Sequence, residues 1–162
     1  MTEVLDIEAG STSLPTVEDT LAFGQRIGRG VRAGDVVVLS GPLGAGKTAL
    51  AKGIALGMDV DGPITSPSYV LARVHRARAA GRPAMVHVDV YRLLDSPLER
   101  SDADLAAELD SLDLDTDLDE AVVVVEWGGG LAERLSEHRL EVTLNRLPDS
   151  DVRTATWRWS RP

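Results

Sequence analysis

Residues 41–48 read Gly-Pro-Leu-Gly-Ala-Gly-Lys-Thr, and this stretch decides the fold. It matches the phosphate-binding pattern G-x-x-x-x-G-K-[ST] at every fixed position. The three glycines Gly41, Gly44 and Gly46 let the backbone wrap closely around an anion, so that successive N–H groups point at phosphate oxygens. The stretch therefore predicts a P-loop.

The residues after the last loop glycine are expected to begin a helix, whose N-terminal N–H groups attract an anion. In such a loop Lys47 brings a positive charge to the β- and γ-phosphates, and the hydroxyl of Thr48 is a magnesium ligand. We assign the backbone of Ala45 and Ala49 to the same site. We therefore predict binding of ATP with Mg²⁺. The alternative, a glycine-rich turn without a ligand, is disfavoured because a strand-like run precedes the loop.

The segments around the loop predict alternating strands and helices. Residues 35–40 and 121–125 are β-branched runs, typical of parallel strands that are covered on both faces. Residues 16–19 resemble a capping box at the start of a helix, and residues 47–56 predict a second helix that ends at Gly57. We predict an α/β fold, a P-loop NTPase-like three-layer sandwich whose mostly parallel sheet has antiparallel edge strands or a C-terminal hairpin.

Other segments complete this sheet. Residues 4–7, 69–75 and 84–91 predict further strands, and residues 138–160 predict the C-terminal hairpin. The chain has 162 residues, within the usual range of about 100–200 for one domain. We expect residues 1–162 to form a single P-loop ATPase domain.

Two carboxylates lie at predicted strand ends. In the strand at 84–91, valines alternate with His87, Asp89 and Tyr91, a polar row that indicates a strand bordering a site. Glu126 follows a buried-type strand, and ligands of open α/β sheets bind outside the carboxyl ends of the strands. ATP hydrolysis needs a carboxylate to organise magnesium, so Asp89 and Glu126 are candidate catalytic residues. The alternatives are an ion pair with an arginine for Asp89 and a solvated carboxylate for Glu126.

Two further features have more than one interpretation. Thr65 and Ser66 either contact the γ-phosphate or its magnesium, as a switch element does, or form an ordinary turn with Pro67. Trp127 either stacks on the nucleotide base or packs in the core. The three histidines have no metal-binding spacing, and we assign them no ligand role.

Composition excludes several classes of function. The chain has no cysteine, which excludes disulfide frameworks and thiolate metal sites. Its net charge is −9, whereas proteins that bind nucleic acids on their own usually carry a patch of basic residues. The N-terminus has no basic start followed by an apolar core, and no apolar run approaches the ~20 residues of a membrane-spanning helix. We expect a soluble, cytoplasmic protein that does not bind membranes.

Five blocks of sequence, in this order, resemble the TsaE (YjeE) family of tRNA threonylcarbamoyladenosine biosynthesis ATPases. They are residues 20–24, 41–48, 65–69, 87–92 and 125–127. The phosphate loop is common to many families, whereas the other blocks together are far more specific. One departure is Pro42, where the family usually has Asp.

The resemblance implies a small ATPase that supports multiple turnovers of N6-threonylcarbamoyladenosine formation in tRNA. The partner would be a two-subunit threonylcarbamoyl transferase complex (TsaD/TsaB-like), and tRNA would be reached only through that complex. The resemblance also implies site residues. Lys47 and the loop backbone would hold the phosphates, while Thr48 and Glu126 would be the magnesium ligands. Asp89 would help to organise the site, Thr65 would sense the γ-phosphate, and Thr20 would lie near the base.

Two other functions remain open on the residues alone. A small-metabolite kinase would use the same loop, and the arginines between residues 73 and 82 would then furnish a lid. A non-catalytic binding module would use ATP only to switch an interaction surface.

Overall fold

The structure is a computed structural model, and it describes residues 9–42, 46–61, 72–89, 120–126, 139–150 and 152–160. In chain order, the described elements are β1 (Ala9–Leu14), α1 (Val17–Gly30), β2 (Val36–Ser40), α2 (Lys47–Met58), β3 (Ala72–His75), β4 (Met85–Asp89), β5 (Val122–Glu126), β6 (Arg139–Arg146) and β7 (Arg153–Ser160).

The described strands form one sheet in the order β1-β7-β6-β2-β5-β4-β3. Its central strands β6, β2, β5 and β4 are parallel to one another. At one edge β3 is antiparallel to β4, and at the other β7 and β1 add antiparallel strands. This order confirms the predicted α/β fold with a parallel centre and antiparallel edges. The predicted C-terminal hairpin is β6 and β7.

Both faces of the central strands are buried. One face belongs to an apolar core that also contains Phe23 and Ile27 of α1 and Leu50 and Ile54 of α2. The opposite face carries valines that are 3% exposed or less, namely Val36, Val38, Val86, Val88, Val123 and Val125. The valine runs of β2 and β5 are continuous because each strand is covered on both sides, as a three-layer arrangement requires.

The start of α1 follows its sequence signal. The hydroxyl of Thr16 accepts a hydrogen bond from the Asp19 N–H at 3.2 Å, and a carboxylate oxygen of Asp19 accepts one from the Thr16 N–H at 3.0 Å. This reciprocal pair is the predicted capping box, with Asp in place of the preferred Glu. It stabilises the N-terminus of α1 by giving partners to N–H groups that the helix leaves unpaired.

The end of α2 differs from the prediction. The helix does not stop at Gly57 but continues to Met58, and Asp59 then turns the chain out of it with a φ of 57°. Asp is one of the few residues other than glycine that adopts this left-handed conformation at small cost. Gly57 has a different reason to be glycine: a Cβ there would collide with the carbonyl oxygen of Gln25 in α1.

Four glycines bring the backbones of α1 and α2 together. A Cβ built on Gly24 would lie 2.6 Å from the carbonyl oxygen of Leu50, and one on Gly28 would collide with that of Ile54. Gly53 and Gly57 meet the carbonyls of α1 in the same way. In each helix the two glycines are four residues apart in sequence, so they lie on the same face of that helix. The contact therefore has no room for side chains.

The first described strand was not predicted. The predicted strand at 4–7 lies outside the described residues, whereas β1 comprises Ala9–Leu14. Its residues are mostly small or polar, so they do not show the alternation of apolar and polar residues that predicts a strand. This composition fits an edge strand, of which most residues are exposed or half-buried. Gly10 lies so close to Trp157 that a Cβ would be 2.6 Å from the indole ring.

Among the described residues, no helix is long and apolar enough to cross a membrane.

The glycine contact predicts a specific loss of stability. We expect Gly28→Ala to lower the free energy of unfolding by about 1–3 kcal/mol, because the added methyl group must push the two helices apart. Gly30→Ala is the matched control, since Gly30 is the exposed last residue of the same helix. Chemical denaturation measures both variants. Equal stability of the two variants would contradict the proposed role of the contact.

Candidate functional site

The predicted phosphate loop and the two candidate carboxylates meet at one edge of the sheet. Strands β2, β5 and β4 are parallel neighbours, so their carboxyl ends lie side by side. In the register, Glu126 is opposite Leu39 on one side and Asp89 on the other. Gly41 begins the loop directly after β2. For Asp89 the structure describes the backbone position only.

Lys47 is the first residue of α2, and its side chain is held by the loop that precedes it. The residue is 6% exposed, and its Nζ donates hydrogen bonds to the carbonyl oxygens of Gly41 at 2.8 Å and Pro42 at 2.9 Å. The Pro42 ring removes a backbone donor at this position but leaves the carbonyl that Lys47 uses. The ammonium group is therefore buried and satisfied by loop carbonyls.

The N-terminus of α2 is favourable for an anion. Gly46 occupies the N-cap with a φ of 100° and no side-chain hydrogen bond caps the helix. The first turn contains no acidic residue. The positive end of the helix dipole and the N-terminal N–H groups of α2 therefore favour an anion, with no acidic residue of the first turn to oppose it. Gly41, among the described loop residues, also has a positive φ, of 144°.

Glu126 connects the loop helix to the neighbouring strand. One carboxylate oxygen, Oε1, accepts a hydrogen bond from the Thr48 hydroxyl at 3.4 Å, and the other, Oε2, accepts one from His87 Nε2 at 2.6 Å. The side chains of His87 and Glu126 are 0% and 4% exposed. A buried carboxylate is stable only with such partners. The alternative of a solvated carboxylate at this strand end is therefore wrong.

The donor set of this site suits magnesium. Mg²⁺ prefers oxygen ligands and commonly takes only one or two from the protein, with phosphates and waters supplying the rest. The Thr48 hydroxyl and Glu126 Oε1 are two such oxygens, close together at the helix N-terminus. The described parts of the chain contain no cluster of three or more His, Asp or Glu side chains that could hold a metal ion.

A cavity of about 290 Å³ opens beside the N-terminus of α2. It is lined by Pro15, Thr16, Val17, Thr20, Gly46, Ala49 and Arg153. Thr20, Gly46 and Ala49 were predicted as binding residues, and the structure brings all three to this cavity. The first residues of α1 and Arg153 of β7 were missed. The capping box at Thr16 marks only the start of a helix, and nothing local marks Arg153.

Four predicted binding residues lie outside the described residues. They are Gly44, Ala45, Thr65 and Trp127.

Sequence comparison relates the chain to known proteins. A family model described as "Threonylcarbamoyl adenosine biosynthesis protein TsaE" matches residues 14–155. A protein of Mycobacterium tuberculosis named "tRNA threonylcarbamoyladenosine biosynthesis protein TsaE" is 68% identical over 152 residues, covering 94% of this chain and 88% of that protein. The protein of the same name from Mycobacterium leprae is 65% identical over 153 residues, covering 94% and 92%.

Structural comparison agrees with this relationship. The crystal structure of YdiB from Bacillus subtilis superposes with a TM-score of 0.67 at 26% identity, covering 95% of this chain and 86% of that one. The match of the family model extends over most of the chain, from the last residue of β1 into β7. The chain belongs to the TsaE family.

Proposed function

We propose that this protein binds ATP with magnesium at the carboxyl edge of its sheet and hydrolyses it in support of N6-threonylcarbamoyladenosine formation in tRNA. The observation that carries the proposal is the convergence of Lys47, Thr48 and Glu126 at the N-terminus of α2. Membership of the TsaE family supplies the biological process.

The contacts of Lys47 support the proposal of phosphate binding. Its Nζ donates to two loop carbonyls, which are neutral acceptors. Phosphate oxygens carry negative charge, so each attracts the ammonium group more strongly than a neutral carbonyl oxygen at the same distance does. A triphosphate at the N-terminal N–H groups of α2 would therefore compete for the ammonium group of Lys47. The positive end of the helix would add to this attraction.

The nucleoside would occupy the cavity next to this phosphate site. At about 290 Å³ the cavity lies near the lower end of the usual range for ligand pockets, about 300–1,000 Å³. Gly46 and Ala49 belong both to the cavity wall and to the start of α2, so the two subsites are continuous. Thr20 and Arg153 supply polar groups from two other elements, as recognition of a base or ribose requires.

Magnesium would be held by the Thr48 hydroxyl and Glu126, and it would neutralise charge that develops on the phosphates. Asp89 lies opposite Glu126 in the strand register and would help to organise the same edge. Thr65 would contact the γ-phosphate, and Trp127 would border the nucleotide. Together these residues would orient the phosphates while water attacks.

The partner would be a two-subunit threonylcarbamoyl transferase complex, which would carry out the transfer to tRNA. The net charge of −9 disfavours direct binding of tRNA because phosphate neutralisation by basic residues supplies most nucleic-acid affinity. ATP hydrolysis by this chain would then drive repeated cycles of the partner.

Lys47→Ala and Glu126→Gln should separate binding from hydrolysis. Lys47→Ala should weaken ATP binding about 10- to 100-fold, because a charge-assisted hydrogen bond contributes about 1.5–3 kcal/mol. Glu126→Gln keeps the shape of the side chain and should lower partner-stimulated phosphate release by about 10²-fold or more while nucleotide still binds. Calorimetry and phosphate release, with and without the transferase subunits, measure these effects. Unchanged phosphate release in both variants would refute the site.

Blocking the cavity should weaken ATP binding without affecting the phosphate subsite. In Ala49→Leu a larger side chain would fill space that the nucleoside needs, so ATP affinity should fall about tenfold or more, corresponding to ~1–3 kcal/mol of steric cost. Binding of inorganic tripolyphosphate should not change. Lys52→Leu, an exposed position on the same helix, is the control. A parallel loss of tripolyphosphate affinity in Ala49→Leu would show damage to the loop instead.

Reconstitution tests the biological role. Transferase subunits, tRNA and threonylcarbamoyl donor are incubated with and without this chain, and product is counted per transferase complex. We expect product to exceed one equivalent only when the chain and ATP are both present. Multiple turnovers without the chain would contradict the role in tRNA modification. Stoichiometric phosphorylation of a small acceptor would show that the chain is a kinase and not an ATP hydrolase.

A further inference from the structure

His87 lies fully buried in the middle of β4, although nothing in its spacing predicts a ligand. It faces the same side of the sheet as the core residues Met85 and Val124. Its register partner is Val124, so Glu126, two residues further along β5, lies diagonally across on the same face. This placement brings Nε2 to within 2.6 Å of Glu126 Oε2.

The surroundings of the ring fix which nitrogen carries the proton. Nε2 faces a carboxylate oxygen, which can only accept a hydrogen bond from it when Glu126 is ionised. Nδ1 is buried and has no hydrogen-bond partner among the residues that the structure describes. A proton on Nδ1 would therefore be buried without an acceptor, which is costly. The arrangement favours the tautomer with the hydrogen on Nε2.

We propose that His87 is a positioning residue for Glu126. Its Nε2–H holds Oε2, so that Oε1 stays directed at the Thr48 hydroxyl, where magnesium is held in the proposed function. The proposal rests on that function and deepens it, because it assigns the orientation of one magnesium ligand to a residue that would touch neither metal nor nucleotide.

The physical need for such a residue comes from the glutamate itself. The terminal torsion of a glutamate side chain is broad and roughly two-fold, so the carboxylate plane is not fixed by rotamer preference. The bond from Thr48 is long, at 3.4 Å, and restrains Oε1 only weakly. The short bond from His87 is the stronger restraint. Loss of such outer partners of metal ligands typically costs 10–100-fold in metal affinity or activity.

Two substitutions separate the hydrogen bond from the volume of the ring. His87→Gln retains an N–H donor near the position of Nε2, whereas His87→Leu has a similar size and no donor. His75→Leu is the control, since His75 is also buried on the same sheet, in β3, and its ring contacts the Asp61 carbonyl instead of Glu126. Thermal unfolding of each variant checks that it folds.

The main readout is the apparent affinity for Mg²⁺ in the presence of a non-hydrolysable ATP analogue. We expect His87→Leu to weaken it about tenfold or more, with analogue binding in EDTA unchanged, and His87→Gln to restore most of the loss. His75→Leu should match the wild type. An unaltered Mg²⁺ affinity in folded His87→Leu overturns the positioning role. If the wild type shows no Mg²⁺-dependent binding of the analogue, the proposed function is overturned. This outcome is seen in the wild type alone, so it is distinct from a failure of the positioning role, which is seen in the variants.

Nitrogen NMR of histidine-labelled wild-type protein gives a readout independent of ligands and folding defects. We expect the His87 ring to show the hydrogen on Nε2, and Glu126→Gln to shift this signal while those of His75 and His138 stay in place. A hydrogen on Nδ1 would overturn the proposal, because the bond to Glu126 could not then be donated by the ring.

Discussion

The close contact between the backbones of α1 and α2 is the constraint on which the site depends. Gly24 and Gly53 lie where a Cβ on either helix would collide with the other backbone. One turn earlier, the same two helix faces carry Thr20 and Ala49, and there the contact opens into the cavity. The cavity thus begins where the close contact between the two helices ends. Its width depends on how closely the glycines let the helices approach.

The parallel centre of the sheet brings together residues that are remote in sequence. Thr48 and Glu126 are 78 residues apart, yet they share a hydrogen bond because β2 and β5 run side by side and end at the same edge. A parallel register with β4 then places Asp89 opposite Glu126. A slip of one residue in β5 would turn Glu126 to the opposite face of the sheet, away from α2. The register of buried valines therefore determines the chemistry of the edge.

The features that could be predicted from the sequence are those with local causes. The phosphate loop, the valine strands and the capping box at Thr16 each follow from a few neighbouring residues. The end of α2 was misplaced because Gly57 has the local pattern of a helix stop, whereas its real role is contact with α1. Arg153 was missed because only the hairpin brings β7 to the cavity. His87 was recognised as part of a polar row but was given no role, because metal-binding spacing identifies ligands and not a residue that orients one.

The buried charges of the site are arranged before any ligand arrives. Lys47 donates to loop carbonyls and Glu126 accepts from a histidine, and no contact between the described residues pairs the two charges with each other. Opposite charges in direct contact would neutralise each other, and a ligand would have to break that pair. In the proposed function Lys47 would bind the phosphates and Glu126 the cation, so a magnesium–nucleotide complex would meet complementary charge at this edge of the sheet. Preorganised charges and dipoles supply much of the rate enhancement of many enzymes, and in the proposed function they would depend on the loop carbonyls that hold Lys47 and on the histidine that holds Glu126.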